Sequence, residues 1–206
     1  MNHNMIYKLR RALEKNRIES ELFSTRDALI YTISHFLQPE VIVGIGDSKT
    51  LQQLGVYTLL RNSSCIFLDK YKPDITQKEK YEIYRKNFSA DLFISGINAI
   101  TVEGKIFNLD GNGSRVAPII FGPKKVFLIC GTNKIVPNDE AAIYRIRNIA
   151  APIDAKRLNK NTPCTKTGKC MDCKSVDKIC NYYSIIQGQF DKQRIKVLLI
   201  EGKYGF

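Results

Sequence analysis

Val41-Ile42-Val43-Gly44-Ile45-Gly46-Asp47-Ser48-Lys49-Thr50-Leu51 is the stretch that decides the fold. The β-branched run Val41 to Ile45 predicts a short buried strand. Gly44 and Gly46 mark a sharp turn, and Leu51, Leu54 and Leu59 then recur at helical spacing. Strand, glycine turn and helix form the opening half of a strand-helix-strand crossover. Outward from it the same alternation continues. Cys65 to Asp69 predicts a second strand, Thr76 with Glu79 forms a capping box that opens a helix to about Ala90, and Asp91 to Ser95 predicts a third strand. Ala99 to Val102 and Lys105 to Leu109 flank Glu103-Gly104 as a hairpin. Gly111 and Gly113 break the chain, Arg115 to Phe121 reads as a short helix, and Gly122-Pro123 leads into the strand Val126 to Cys130. Asn138 or Asp139 caps a helix to about Ile149, Pro152 precedes a short helix near Ala155, and Ile195 to Ile200 supplies a last strand. At the other end, Ile6, Leu9 and Leu13 predict a helix over Met5 to Arg17, and Ser24 caps a second helix to Leu37.

This order predicts one three-layer α/β/α domain over residues 1–206 with a mainly parallel sheet. Helices occupy residues 1–38, and a cysteine-rich insertion occupies 162–182. In such a sheet the ligand cleft lies at the carboxyl ends of the strands. The 206 residues suffice for one buried core. The apolar runs fall far short of a membrane span, and no apolar stretch follows the charged N-terminus, so a cytoplasmic chain without membrane attachment is expected.

The formal charge of +12, from 32 basic and 20 acidic side chains, favours anionic partners. The basic residues are scattered and lack interleaved stacking aromatics, which argues against nucleic acid. A small anionic metabolite is the better expectation. Cys65 and Cys130 sit in apolar runs and are expected in the core. Cys164, Cys170, Cys173 and Cys180 crowd one polar segment, where four thiolates could close a zinc site or hold an iron-sulfur cluster. Their spacing is neither that of a zinc ribbon nor of a bacterial ferredoxin, so a reduced loop and a Cys170-Cys173 redox pair stay open beside metal.

From Asp91 onward the chain resembles the LUD (lactate utilisation) family. The resemblance is carried by Gly96-Ile97-Asn98-Ala99-Ile100-Thr101, Asp110-Gly111-Asn112-Gly113, Phe121-Gly122-Pro123-Lys124-Lys125-Val126, Gly131-Thr132-Asn133-Lys134-Ile135-Val136, Ala150-Ala151-Pro152 and Thr162-Pro163-Cys164. Lys49, Ser114 and Asp154 depart from the family's wording. The resemblance implies a fold like that of sugar-phosphate isomerases and coenzyme A transferases. It also implies a role in lactate oxidation beside iron-sulfur oxidoreductase subunits, with higher assembly expected.

The candidate site follows from these placements. Gly46, Ser48 and Thr50 stand where backbone N–H groups could cradle an anion, and Ser48 reads equally well as a plain helix cap. Asn98, Asn112 and Arg115 are expected as ligand contacts, with Asp110 and Lys134 as catalytic groups. In the related isomerases a Gly-Ala-Asp string occupies the place of Gly96 to Asn98, and an amide cannot act as the base. Arg145 and Arg147 are expected on an exposed helix face. Two other readings remain open: a free-standing isomerase or transferase acting on a sugar phosphate or acyl thioester, and a non-catalytic metal-binding interaction module.

Overall fold

A computed structural model of the chain describes residues 3–206. Its main sheet is wholly parallel and contains β1 (Glu19–Phe23), β2 (Ile42–Ile45), β3 (Ile66–Phe67), β4 (Leu92–Gly96), β7 (Lys125–Gly131) and β10 (Ile195–Ile200), in the spatial order β1-β10-β7-β4-β2-β3. A second sheet, β8-β5-β6-β9, joins β5 (Ala99–Thr101) and β6 (Ile106–Asp110) as the expected hairpin. It adds β8 (Ile135–Val136) parallel to β5 and β9 (Tyr182–Ile186) antiparallel to β6.

The period of two along each strand divides the core into two layers. Val126, Leu128 and Cys130 of β7 face the same side as Val197 and Leu199 of β10. There they meet Ile6, Leu9 and Leu13 of α1 (His3–Lys15). Phe127 and Ile129 face the opposite side with Leu198 and Ile200. They meet α2 (Arg26–Ser34), α3 (Lys49–Gln53) and α4 (Val56–Asn62) through Leu29, Ile33, Leu51, Val56 and Leu60. Both faces are covered, as a purely parallel sheet requires, and the expected three layers are present.

Several expectations are corrected. Residues 1–38 are not helices alone, because β1 lies within them and pairs with β10 at the sheet edge. Its sequence, Glu-Ser-Glu-Leu-Phe, buries only Phe23 and so lacks the apolar run that marks the inner strands. Helix α2 is capped by Thr25, whose hydroxyl accepts from Ala28 N, rather than by Ser24. Cys130 is fully buried as expected, but Cys65 is only half-buried beside the edge strand β3. The segment after Cys180 forms β9, which the cysteine-rich composition obscured.

The capping box at Thr76 and Glu79 opens α5 (Gln77–Lys86), and α6 (Val116–Ile120) is the short helix after Arg115. Beyond Asn138, which caps α7 (Asp139–Arg145), the helix runs unbroken through a π-helical stretch, Ile146–Ala150, into α8 (Ala151–Arg157). Pro152 has no N–H to donate to the preceding turn, and a widened turn just before it accommodates that loss. A short α9 (Pro163–Thr167) follows.

Candidate functional site

Along the main sheet, the chain leaves β2 toward β3 on one side and returns to β4 on the other. The connections after β2 and β4 therefore diverge, and an open α/β sheet binds ligands in the crevice at such a point. A cavity of about 580 Å³ lies there. Glycine permits its floor: a Cβ on Gly46 would stand 2.6 Å from Ser95 Oγ and 2.8 Å from Arg115 Cγ, and one on Gly96 would collide with Ser48 Oγ.

All eight residues expected to bind or act on the ligand gather near this crevice, and Ser48, Thr50, Asn98, Asp110, Asn112, Arg115 and Lys134 line the cavity itself. Many of them are occupied with holding it together. Ser48 is the N-cap of α3, accepting from Leu51 N at 3.4 Å, and its own N–H donates to Tyr57 Oη. Because α3 has five residues, its dipole cannot build into an anion site of its own. Arg115 donates to the carbonyls of Gly96 and Leu109 and to the side-chain oxygens of Asn98 and Asn108, which fastens β4 to the hairpin. Asn98 Oδ1 also accepts from Leu109 N. Asp110 accepts from Gly111 N at 2.7 Å, Arg115 N at 2.9 Å and Val116 N at 3.0 Å, so turn and helix chemistry account for its carboxylate. Asn112 accepts from Ser114 N as a turn former.

Lys134 behaves differently. It is 3 % exposed. Its ammonium donates to Thr50 Oγ1 at 2.7 Å and to Ile97 O at 3.0 Å. It forms no ion pair among the described residues. Burial pushes its pKa down to about 8. A solvated loop lysine is thus excluded.

Sequence reasoning missed Lys70, which stands just past β3. It is 4 % exposed and lines the same cavity. Its ammonium lies 5.3 Å from the Tyr71 ring centre and 5.5 Å from that of Tyr84. Among the described residues it has neither a hydrogen-bond acceptor nor an ion-pair partner. Burial lowers its pKa to about 8, against a smaller opposing pull from Asp47 and Asp110. Position was the available signal, since a lysine following a parallel strand sits at the ligand-binding edge.

The rim was also missed. Arg157 bonds Asp47 and Asp154, each at 2.7 Å. Burial alone would raise the Asp47 pKa, but Arg157, with Lys70 and Tyr71, outweighs it and holds that pKa below the ordinary value. Arg145 is not exposed as expected: it is 7 % exposed and donates to Asn98 O. Arg147 reaches the cysteine segment, pairing with Asp172 at 2.9 Å and donating to Cys170 Sγ at 3.5 Å.

Cys164, Cys170, Cys173 and Cys180 line one smaller cavity of about 110 Å³, and all are free thiols. Burial raises the Cys180 pKa, and the other three thiols add to the rise after an opposing effect from Lys178. Among the described residues, however, no group of three or more Cys, His, Asp or Glu is disposed to hold a metal ion. The soft-donor chemistry fits zinc or an iron-sulfur cluster, while the present arrangement of donors does not form a coordination shell.

The parallel sheet, its two helical layers and the crevice at the strand switch define a three-layer α/β domain of the doubly wound kind. The LUD domain family model matches residues 6–200, and the chain belongs to that family. The chain is also similar to a DUF162 family protein from Deinococcus radiodurans, with 10% identity, 98% of each chain covered and a TM-score of 0.55. It is similar over part of its length to ribose 5-phosphate isomerase from Plasmodium falciparum, with 14% identity, 55% of this chain and 52% of that chain covered, and a TM-score of 0.34. For eIF2B beta from Chaetomium thermophilum the values are 16% identity, 56% and 44% coverage, and a TM-score of 0.37. No curated protein matches the sequence. Among the described residues, no helix is long and apolar enough to cross a membrane.

Proposed function

We propose that this LUD domain protein binds a small organic acid, lactate or a relative, in the crevice between β2 and β4, and serves organic-acid oxidation beside iron-sulfur subunits. One observation carries the binding reading: Lys70 and Lys134, both almost fully buried, line one cavity without an ion pair among the described residues. A buried ammonium without a counter-charge is costly, and an anion entering the cavity would relieve that cost. Family membership supports the link to lactate utilisation.

A binding role is favoured over free-standing proton-transfer catalysis through Asn98 and Asp110. The amide of Asn98 takes up no proton near neutral pH, and Asp110 is committed to three backbone N–H groups. Calorimetric titration with lactate and other 2-hydroxy and 2-oxo acids tests the reading. Binding is expected in the wild type and at least tenfold weaker binding in Lys134→Ala. Unchanged affinity in that variant would remove the cavity from consideration.

The shared cavity of the four cysteines favours a second reading, in which zinc or an iron-sulfur cluster draws those thiols together as a docking element for the partner subunits. Metal analysis of anaerobically purified protein should then find stoichiometric metal that is lost in Cys170→Ser/Cys173→Ser. Metal-free wild-type protein would end this reading without touching the first.

A further inference from the structure

The two buried lysines enter the cavity from different places. Lys134 follows β7, but its ammonium is tethered to the carbonyl of Ile97, just beyond β4. Lys70 follows β3 and lies by the rings of Tyr71 and of Tyr84 on α5. In the sheet, β2 separates β4 from β3, which places their tips two strand spacings, or about 10 Å, apart. The charges that weigh most on the two lysines are also different sets that share only Arg115. The cavity therefore has two cationic ends. Lactate carries a single carboxylate and so offers a counter-charge to only one of them.

We infer that the ligand of this crevice is a bis-anion, with a carboxylate or phosphate at each end of a chain of three or more atoms. One end meets Lys134 and the other meets Lys70. This inference rests on the crevice being an anion site and adds the length and the second charge of the ligand. The Lys134 end holds its acid beside Thr50, whose hydroxyl already accepts from that ammonium and donates to Tyr204 O. The Lys70 end offers three N–H donors with no protein acceptor among the described residues, so the whole donor set is available to an incoming oxyanion. The volume of about 580 Å³ suits such a molecule and is larger than a three-carbon acid fills.

Thermal-shift and calorimetric titrations with lactate, malonate, succinate, glutarate, adipate and a phosphorylated hydroxy acid decide this, using wild type, Lys70→Met, Lys70→Arg and Lys134→Met. In the wild type the longer dianions should bind at least tenfold more tightly than lactate. Lys70→Met should erase that preference by weakening the longer dianions at least tenfold, Lys70→Arg should restore most of it, and Lys134→Met should weaken every acid. A phosphorylated acid that exceeds all the dicarboxylates identifies phosphate as one end group; equal affinities identify two carboxylates. Ligand-free Lys70→Met should melt about 2 to 4 °C higher than the wild type, since it loses an unpaired buried cation. Lactate binding as tightly as any dianion, a preference that survives Lys70→Met, or a lower melting temperature in that variant would overturn the bis-anion while leaving the anion site intact. A wild type that binds no acid would overturn both.

Discussion

Strand β7 and the turn beyond it pass from one kind of burial to another. Phe127, Leu128 and Ile129 are fully buried among apolar side chains from both helical layers, and the backbone groups of β7 pair with β4 and β10. Lys134, a few residues later, is almost as buried, yet it carries a charge with no ion pair among the described residues. Within the sheet, burial and bonding agree, so removing atoms can only lose stability. At the carboxyl edge they disagree, because Lys70 and Lys134 are buried there and neither forms an ion pair among the described residues. Stability is given up there, as it commonly is at sites whose missing interactions come from a ligand.

The largest test of this contrast lies in the sheet. Leu198→Ala on β10 removes a fully buried side chain packed with Phe127 and Ile129, and should cost about 2 to 5 kcal/mol, read as a loss of melting temperature of at least several degrees. A loss below about 1 kcal/mol would show that the layer tolerates a cavity and would blur the distinction.

An intermediate effect should appear with pH. The pKa of each lysine falls from 10.5 to about 8 on folding, so between those values the unfolded chain holds more protons than the folded one. Stability then rises with pH across that interval, and the penalty is fully present below about 8. Asp47 and Asp110 pull the Lys70 pKa up, while Arg115 and Lys80 push it down; burial dominates all four. The melting temperature of ligand-free protein should climb between about pH 8 and pH 9.5, and the climb should flatten in Lys70→Met/Lys134→Met. The window ends there because Cys130, raised by burial from 9.0 to about 11, and then Tyr57, raised to about 12, favour unfolding once thiols and tyrosines of the unfolded chain ionise. An equal climb in the double variant would assign it to other groups.

The smallest effect concerns the wall that carries Tyr84. Thr76→Ala removes the hydroxyl that accepts from Glu79 N and breaks the capping box of α5, at a cost of about 1 kcal/mol. If α5 positions the Lys70 end of the cavity, glutarate affinity should fall with that stability while lactate affinity stays level, a difference that parallel titrations would resolve.

The parallel strands were legible because inner strands must be apolar on both faces, as in Val126 to Cys130 and Ile195 to Ile200. The hairpin and the capping box were legible because Glu103-Gly104 and Thr76 with Glu79 are local chemistry. The edges were not: β1 is largely polar, and β9 follows a cysteine-rich segment with no strand signal. The candidate residues come together at the carboxyl edge of the sheet, since position there follows from element order. Their roles were harder to read. Asp110 and Asn98 carry the residue types of chemistry, but they bond the backbone of their own loop and hairpin. Lys70 carries no motif, and its burial arises only when β3 and α5 come together.

The strand order also governs how the chain can be assembled. β10, made after every other strand of the main sheet, lies between β7 and β1, which is made before the others. During synthesis at roughly 5 to 20 residues per second, β1 must therefore wait for its neighbour while most of the remaining sheet can already pair. Until Ile195–Ile200 emerges, β7 presents an open hydrogen-bonding edge and its apolar flank to the surroundings. That interval is when a nascent chain of this topology is most exposed to aggregation and to capture by chaperones.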